Sequence, residues 1–310
     1  MKVAVLKGGR SLERGVSLRS GARVEEALER LGHDVVALDV GSDLVKRLSA
    51  ERPDVAFVAM HGVGGEDGTA QELLEILDIP FTGPGAAACA RCMDKSLAKH
   101  AIREAGLPTP DWFAFSQTAF RELGAADALG GIEGSLGFPL VVKPSRGGSS
   151  LGVRFAAAAS EVPQALISAF SYDERVLLER FVEGRELAVS VLGEEALPVV
   201  EAIPAAGDRY DFEARYEIGR TRFVCPAELG EAERAAVTAA ALATYRALGC
   251  SGFARVDLIL GPDGPQVLEA NAIPGLTDTS LLPQAAEAAG MSFERLVERI
   301  LDLALAPAAA

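Results

Sequence analysis

Apolar positions in the first eighty residues follow two rhythms. Short continuous runs at residues 3–6, 35–38 and 55–60 read as strands buried on both faces. Between the first two, Val24, Ala27, Leu28 and Leu31 recur at helical spacing over 17–31, and Gly32 marks where that helix stops. Strand, helix, strand predicts an open parallel sheet, which takes ligands at the carboxyl ends of its strands. Glycine-rich turns follow two of those ends: Gly8-Gly9 after the first run and His61-Gly62-Val63-Gly64-Gly65 after the third.

From about Asp94 the pattern changes. A helix ends at Gly106-Leu107-Pro108, strands are expected near 112–115 and 138–143, and a glycine loop spans 144–152. A helix at 162–170 and strands near 176–179, 186–192 and 197–202 come next. A long Ala-rich helix over 231–248, two strands with polar faces, two closing helices and a fraying Ala-Pro-Ala-Ala-Ala tail complete the chain. These shifts predict three domains, 1–94, 95–182 and 183–310.

Size and charge then narrow the function classes. A chain of 310 residues, 49% hydrophobic and 24% charged, can bury sizeable cores, so a small binding module or a disordered chain is excluded. Its 44 acidic and 30 basic residues give a net charge of −14, a field that repels nucleic acid and anionic lipid. Any anionic ligand must therefore meet a local basic cluster. No early apolar stretch has the length of a membrane span or the form of a secretory leader, so a cytoplasmic location and no membrane partner are expected. The four cysteines are expected as free thiols. Cys89 and Cys92 form a CxxC, but no second pair exists and the Ala-rich surroundings read as a helix.

Two regions carry candidate chemistry. Lys143-Pro144-Ser145-Arg146-Gly147-Gly148-Ser149-Ser150-Leu151-Gly152 puts two cations, three hydroxyls and three glycines directly after a strand. That composition suits phosphate, because glycines admit backbone N–H groups to the anion and Lys143 adds charge. It is not a GxxxxGK[ST] loop, since Lys143 precedes the glycines; a flexible surface hairpin is the alternative. On the polar-faced strands, Arg255 shares a face with Asp257, and Glu269 with Asn271. If the strands pair, two carboxylates and an amide oxygen converge, hard ligands of the type Mg²⁺ takes when it also holds phosphates. Arg255 would offset their charge or donate to a developing oxyanion; a structural ion pair is the alternative reading. Residues 176–186 place charged groups beside apolar ones, as a purine pocket requires.

Phosphate loop, purine-type strand and acidic strands in this order resemble the ATP-grasp ligases, and more closely the D-alanine:D-alanine ligase family. The resemblance runs through Gly8-Gly9-Arg10-Ser11-Leu12-Glu13-Arg14, His61 to Thr69, Phe81-Thr82-Gly83-Pro84-Gly85 and Met93-Asp94-Lys95. It continues through the Lys143 loop, Tyr210 to Tyr216, and Glu269-Ala270-Asn271-Ala272-Ile273-Pro274-Gly275-Leu276-Thr277. It implies an α/β chain, an ATP-grasp fold preceded by a parallel-sheet, Rossmann-like N-terminal domain. It also implies a reaction in which ATP phosphorylates one D-alanine and the amine of a second attacks the acyl phosphate. D-alanyl-D-alanine for peptidoglycan is the product. D-Lactate or D-serine as second substrate, and a nucleotide-binding regulatory protein without turnover, are the alternatives.

The resemblance also assigns roles. Lys95 and Lys143 would hold ATP phosphates, and Arg215, just before the lid tyrosine, would also bind ATP. Glu179, Arg180, Val182 and Glu186 would frame adenine and ribose. Asp257, Glu269 and Asn271 would bind two Mg²⁺ or Mn²⁺ ions. Glu13 would hold the first substrate's ammonium, His61 would lie near its carboxylate, and Arg255 with the Gly275 N–H would stabilise the oxyanion. Ser280 and Leu281 would receive the second substrate, while Ser149 and Tyr216, linked with Glu13, would close the site under a lid at 207–219. A homodimer is implied as well. The chain departs from the family pattern at Lys7 and Gly15, and Arg180 and Arg215 stand where lysine is usual.

Overall fold

The computed structural model describes residues 1–205 and 221–306. Arg215, Tyr210 and Tyr216, with the expected lid, lie outside the described residues, as does the end of the Ala-rich tail. The three early apolar runs form a parallel sheet of β1 (Lys2–Lys7), β2 (Asp34–Asp39) and β3 (Val55–Val58) in the order β2-β1-β3. β1 is central and β3 is wholly buried, which is why neither shows alternation. The helix Arg14–Arg30 connects β1 to β2 and buries Val24, Ala27 and Leu28 against the sheet. It starts three residues before the expected position because the Glu13 carbonyl already accepts the Ser17 N–H at 3.0 Å, upstream of the apolar stripe.

The middle of the chain is a four-stranded antiparallel sheet of β4 (Trp112–Ser116), β5 (Leu140–Pro144), β6 (Arg154–Ala156) and β7 (Arg175–Arg180), ordered β4-β7-β5-β6. The helix Val162–Phe170 covers it, with Leu140, Val142, Leu166 and Leu178 in a separate core. The expected strand at 138–143 is shifted toward Pro144, since Pro139 has no N–H for the ladder.

The third sheet is antiparallel and built on β8 (Arg185–Leu192). Its path is β11-β10-β8-β12-β13, with β9 (Glu195–Ala196) also on β8 and the remaining strands β10 (Val200–Pro204), β11 (Thr221–Val224), β12 (Phe253–Gly261) and β13 (Gly264–Asn271). The expected strand at 197–202 begins later, as β10 at Val200, because Pro198 has no N–H for the ladder, and a short β9 precedes it at Glu195–Ala196. The helix Glu231–Ala247 packs on this sheet, and Phe293–Leu305 returns to the helix Arg14–Arg30. There the Arg30–Glu294 ion pair measures 2.9 Å and the Arg23 guanidinium lies 3.7 Å above the Phe293 ring. One continuous apolar core therefore joins the first and third sheets, running from Val3 and Phe57 to Val256, Phe253 and Ile300.

Phe253 is fully buried in that shared core, close to Gly83 on the N-terminal side. Phe253→Ala is expected to cost about 3–5 kcal/mol, read as a lower urea midpoint with an unchanged denaturant slope.

Candidate active site

The two polar-faced strands do pair. In the β12–β13 register Arg255 stands opposite Asn271 and Asp257 opposite Glu269, so period-two alternation brings all four side chains to one patch. Arg255 Nε and Nη2 donate to the two Asp257 oxygens at 2.7 and 2.8 Å, and Asn271 Nδ2 donates to Asp257 Oδ2 at 3.2 Å. Glu269 Oε2 lies 3.5 Å from Lys95 Nζ. Two carboxylates and an amide on adjacent strands form a donor set of hard oxygens that fits a divalent cation.

Lys95 reaches this patch from the start of the helix Lys95–Glu104. Asp94 caps that helix through the Ser96 and Leu97 N–H groups and also accepts from the Ser145 hydroxyl at 3.0 Å. Lys95 N–H donates to the Ser145 carbonyl at 2.9 Å, and its ammonium donates to the Gly147 carbonyl at 2.6 Å. The helix start is thereby tied to the glycine loop.

Lys143 leaves β5 toward Glu179 on β7, at 2.7 Å, and Lys99 meets the other Glu179 oxygen at 2.7 Å. Burial alone would raise the Glu179 carboxyl, but Lys143 and Lys99 hold it below the ordinary carboxylate range. Lys99 is fully buried, and burial lowers its ammonium to about 8 against the pull of Glu179. Lys143 therefore has more basic company than its own loop supplies: Lys99 shares Glu179 with it, and Lys95 lines the same cavity. Together Lys95, Lys143, Glu179, Val182, Glu186, Ile259, Leu268 and Glu269 line a cavity of about 420 Å³ between the second and third sheets. Arg180 borders it, but its guanidinium turns outward to the Ser135 carbonyl at 3.2 Å and to Asp111 at 3.4 Å.

A second cavity, of about 610 Å³, contains Glu13, Arg10, Gly62 and Asp67 and shares Arg146, Gly147, Gly148 and Leu151 with the first. The Ser149 hydroxyl donates to Glu13 Oε1. A side chain at Gly62 or Gly148 would meet the Glu13 carboxylate at 2.5 or 2.9 Å, so both glycines make room for it. Burial pushes the Glu13 carboxyl above its ordinary range and the Glu66 carboxylate adds to this, while Ser149, His61 and Lys95 pull it back. A desolvated carboxyl beside a second acid is suited to receive a cation.

His61 is buried. Its Nδ1 lies 3.0 Å from the Ile273 carbonyl and 3.4 Å from Glu66, and its Nε2 lies 2.9 Å from Ser20 Oγ, which also accepts the Leu276 N–H at 3.1 Å. The ring thus fastens the loop after β13 to the N-terminal sheet. In that loop Ser280 Oγ accepts the Thr277 N–H at 3.0 Å, and a side chain at Gly275 would come within 2.7 Å of Ser280 Oγ. Leu281 is buried at the start of the helix Leu281–Ala288.

The structure gathers Glu13, Ser149, Lys95, Lys143, Glu179 and the β12–β13 patch around one loop. Sequence reading missed Lys99 and Glu66. Lys99 stands four residues after Lys95, one turn along the same helix face, and Glu66 lies inside the His61 glycine motif; those spacings were the available signals. Among the described residues no helix is long and apolar enough to cross a membrane, and all four cysteines are free.

Two family models match the chain: “D-ala D-ala ligase N-terminus” over residues 42–84 and “D-ala D-ala ligase C-terminus” over 101–302. D-Alanine--D-alanine ligase of Anaeromyxobacter dehalogenans is 47% identical over 302 residues, covering 97% of this chain and 96% of the relative. The crystal structure of the Bacillus anthracis D-alanine--D-alanine ligase superposes with a TM-score of 0.87 at 35% identity, over 98% of this chain and 97% of that one. A structure of that ligase complexed with ATP gives 0.84 at 33% identity, with the same coverage. VanG D-Ala:D-Ser ligase of Enterococcus faecalis gives 0.83 at 28% identity, over 98% and 99% of the two chains.

A carboxyl raised in the folded state favours the fold while protonated and loses that contribution as pH rises from the unfolded value, about 4.3, through the folded one. Glu13→Gln removes this loss. The variant is expected to gain stability relative to the parent between pH 4 and pH 7 in urea unfolding; an equal difference at both pH values would show that ionised Glu13 carries no such cost.

Proposed function

The chain belongs to the D-alanine–D-alanine ligase family, and from that premise we propose how its side chains divide the work. The enzyme joins two D-alanine molecules into D-alanyl-D-alanine for peptidoglycan: ATP phosphorylates the first carboxylate, and the second amine displaces phosphate. The observation that carries the assignment is that two cavities share one wall, the loop around Gly147 and Gly148, with the lysines on one side and Glu13 on the other. Nucleotide and amino acid then meet across that loop, as in-line phosphoryl transfer requires.

In the larger-sheet cavity, Lys95 and Lys143 hold the phosphates, and Glu179, Val182 and Glu186 frame adenine and ribose, with Arg180 contributing at the rim. Asp257, Glu269 and Asn271 would hold two Mg²⁺ or Mn²⁺ ions, which when bound supply further neutralisation of phosphate charge. In the second cavity Glu13 takes the ammonium of the first D-alanine, and that cation relieves the carboxylate's burial and its repulsion from Glu66. His61 sets the loop that carries Gly275, so the Gly275 N–H and Arg255 face the tetrahedral oxyanion. Ser280 and Leu281 seat the second D-alanine by carboxylate and methyl. Ser149 holds Glu13, Tyr216 closes the site against water, which would otherwise hydrolyse the acyl phosphate, and Arg215 before it binds ATP. The division at 94 and 182 then separates first-substrate, lid and catalytic parts. A homodimer in the cytoplasm, where ATP is available, completes the reading.

An ADP-release assay across D-alanine, D-lactate, D-serine and L-alanine tests the substrate, with D-alanyl-D-alanine expected as the product; ADP release that depends on D-serine or D-lactate would overturn the pairing. Asp257→Asn and Glu269→Gln are each expected to cut turnover about a hundredfold or more with the fold retained. Lys143→Ala is expected to raise the KM for ATP about tenfold or more; unchanged ATP kinetics would make the loop merely structural.

A further inference from the structure

Glu179 is the single acid between two ammonium groups, and only one of those cations lines the nucleotide cavity. Lys143 stands on the cavity wall; Lys99 lies behind it, fully buried. Lys99 comes from the helix Lys95–Glu104, one turn after Lys95, and its ammonium donates to Thr109 Oγ1 at 2.5 Å as well as pairing with Glu179. The Thr109 hydroxyl in turn donates to the Val267 carbonyl on β13 at 2.8 Å. A buried lysine with this many fixed partners is costly to retain, and nothing in it touches the cavity.

We propose that Lys99 is a positioning residue for nucleotide binding: by claiming one oxygen of Glu179, it leaves Lys143 with uncompensated positive charge for the ATP phosphates. The proposal rests on the ligase reading only in naming ATP as the polyanion.

Charge counting gives the reason. Two ammonium groups and one carboxylate leave the buried trio with a net charge of +1. Without the charge on Lys99, Lys143 and Glu179 form a neutral pair at 2.7 Å, and a polyanion must then compete with Glu179 for Lys143. In a partly desolvated site that difference is felt strongly. Position follows as well, because the ion pair at 2.7 Å draws the second Glu179 oxygen toward Lys99, away from Lys143.

The proton on Lys99 makes the idea testable without disrupting the fold. The charged groups that face it are Glu179 from β7, Lys143 from β5 and Arg103 one turn along its own helix, itself paired with Asp111 at 2.9 Å. The uncharged Thr109 and the Trp112 ring of β4, 5.1 Å away, complete the contacts. With its ammonium lowered to about 8, Lys99 is charged at pH 7 and neutral at pH 9.5.

The test compares the parent, Lys99→Met and Lys99→Arg by titration calorimetry with ADP and by steady-state kinetics. At pH 7, Lys99→Met is expected to weaken ADP binding and raise the KM for ATP about tenfold, with a smaller change in kcat and an unchanged KM for D-alanine. Lys99→Arg should recover part of the loss, since it keeps the charge. The ratio between Lys99→Met and parent should shrink toward one as pH rises past about 8, because the parent then loses the same charge. A purely structural lysine would lower thermal stability without this split or this pH dependence. Equal nucleotide affinity in parent and Lys99→Met at pH 7, or a ratio that stays constant to pH 9.5, overturns the proposal. Calorimetry with ADP needs no D-alanine turnover, so failure of the ligase assay and failure of this proposal are distinguishable.

Discussion

A carboxylate taken out of water costs several kcal/mol unless a cation answers it on the spot, and this acidic chain places several of them around a site meant for a polyanion. Glu179 is held by Lys143 and Lys99, Asp257 by Arg255, Glu269 by Lys95, and Glu201 by Arg185 at 2.6 Å. Each pair joins different stretches of chain, or, for Arg255 and Asp257, positions two apart on one strand face. Lys99 and Lys95, on one helix, pair with the second sheet and the third respectively, so that helix links the two sheets on either side of the cavity.

The same matching resolves the conflict between a net charge of −14 and an anionic ligand. The lysines are concentrated behind and beside one glycine loop, where Asp94 and Ser145 tie the helix start to the loop backbone. The field of the whole chain is repulsive, but over a few ångströms the local cations dominate. Across the loop the logic reverses. Glu13 is desolvated next to Glu66, so the ligand that relieves it is a cation. In the proposed reading, one wall separates a site for negative charge from a site for positive charge, the arrangement an amino acid and a nucleotide need in order to react.

Packing supports this division. The first and third sheets share a continuous apolar core, and the closing helix Phe293–Leu305 lies against Arg14–Arg30, so the N-terminal glycine turns and the β12–β13 patch belong to one packed frame. The middle sheet keeps a core of its own around Leu140, Leu166 and Leu178. It meets the frame mainly through polar contacts such as Lys95 with Ser145 and Ser149 with Glu13. Weaker, polar contacts of this kind are the ones that can open to admit ligand.

What the sequence determined by itself is what short-range periodicity encodes. Continuous apolar runs gave the parallel strands, and alternation put Arg255 with Asp257 and Glu269 with Asn271 on common faces. The glycine loop after β5 announced a close backbone approach, and ordered motifs pointed to the family. Strand ends were less legible where prolines 139 and 198 removed ladder donors. Only tertiary structure decided which charges meet. Lys99 and Glu179 are eighty residues apart, and Glu13 and Ser149 farther still. No local pattern marks such pairs, because a buried ion pair is selected by the packing of whole sheets, and that geometry exists only once the chain has folded.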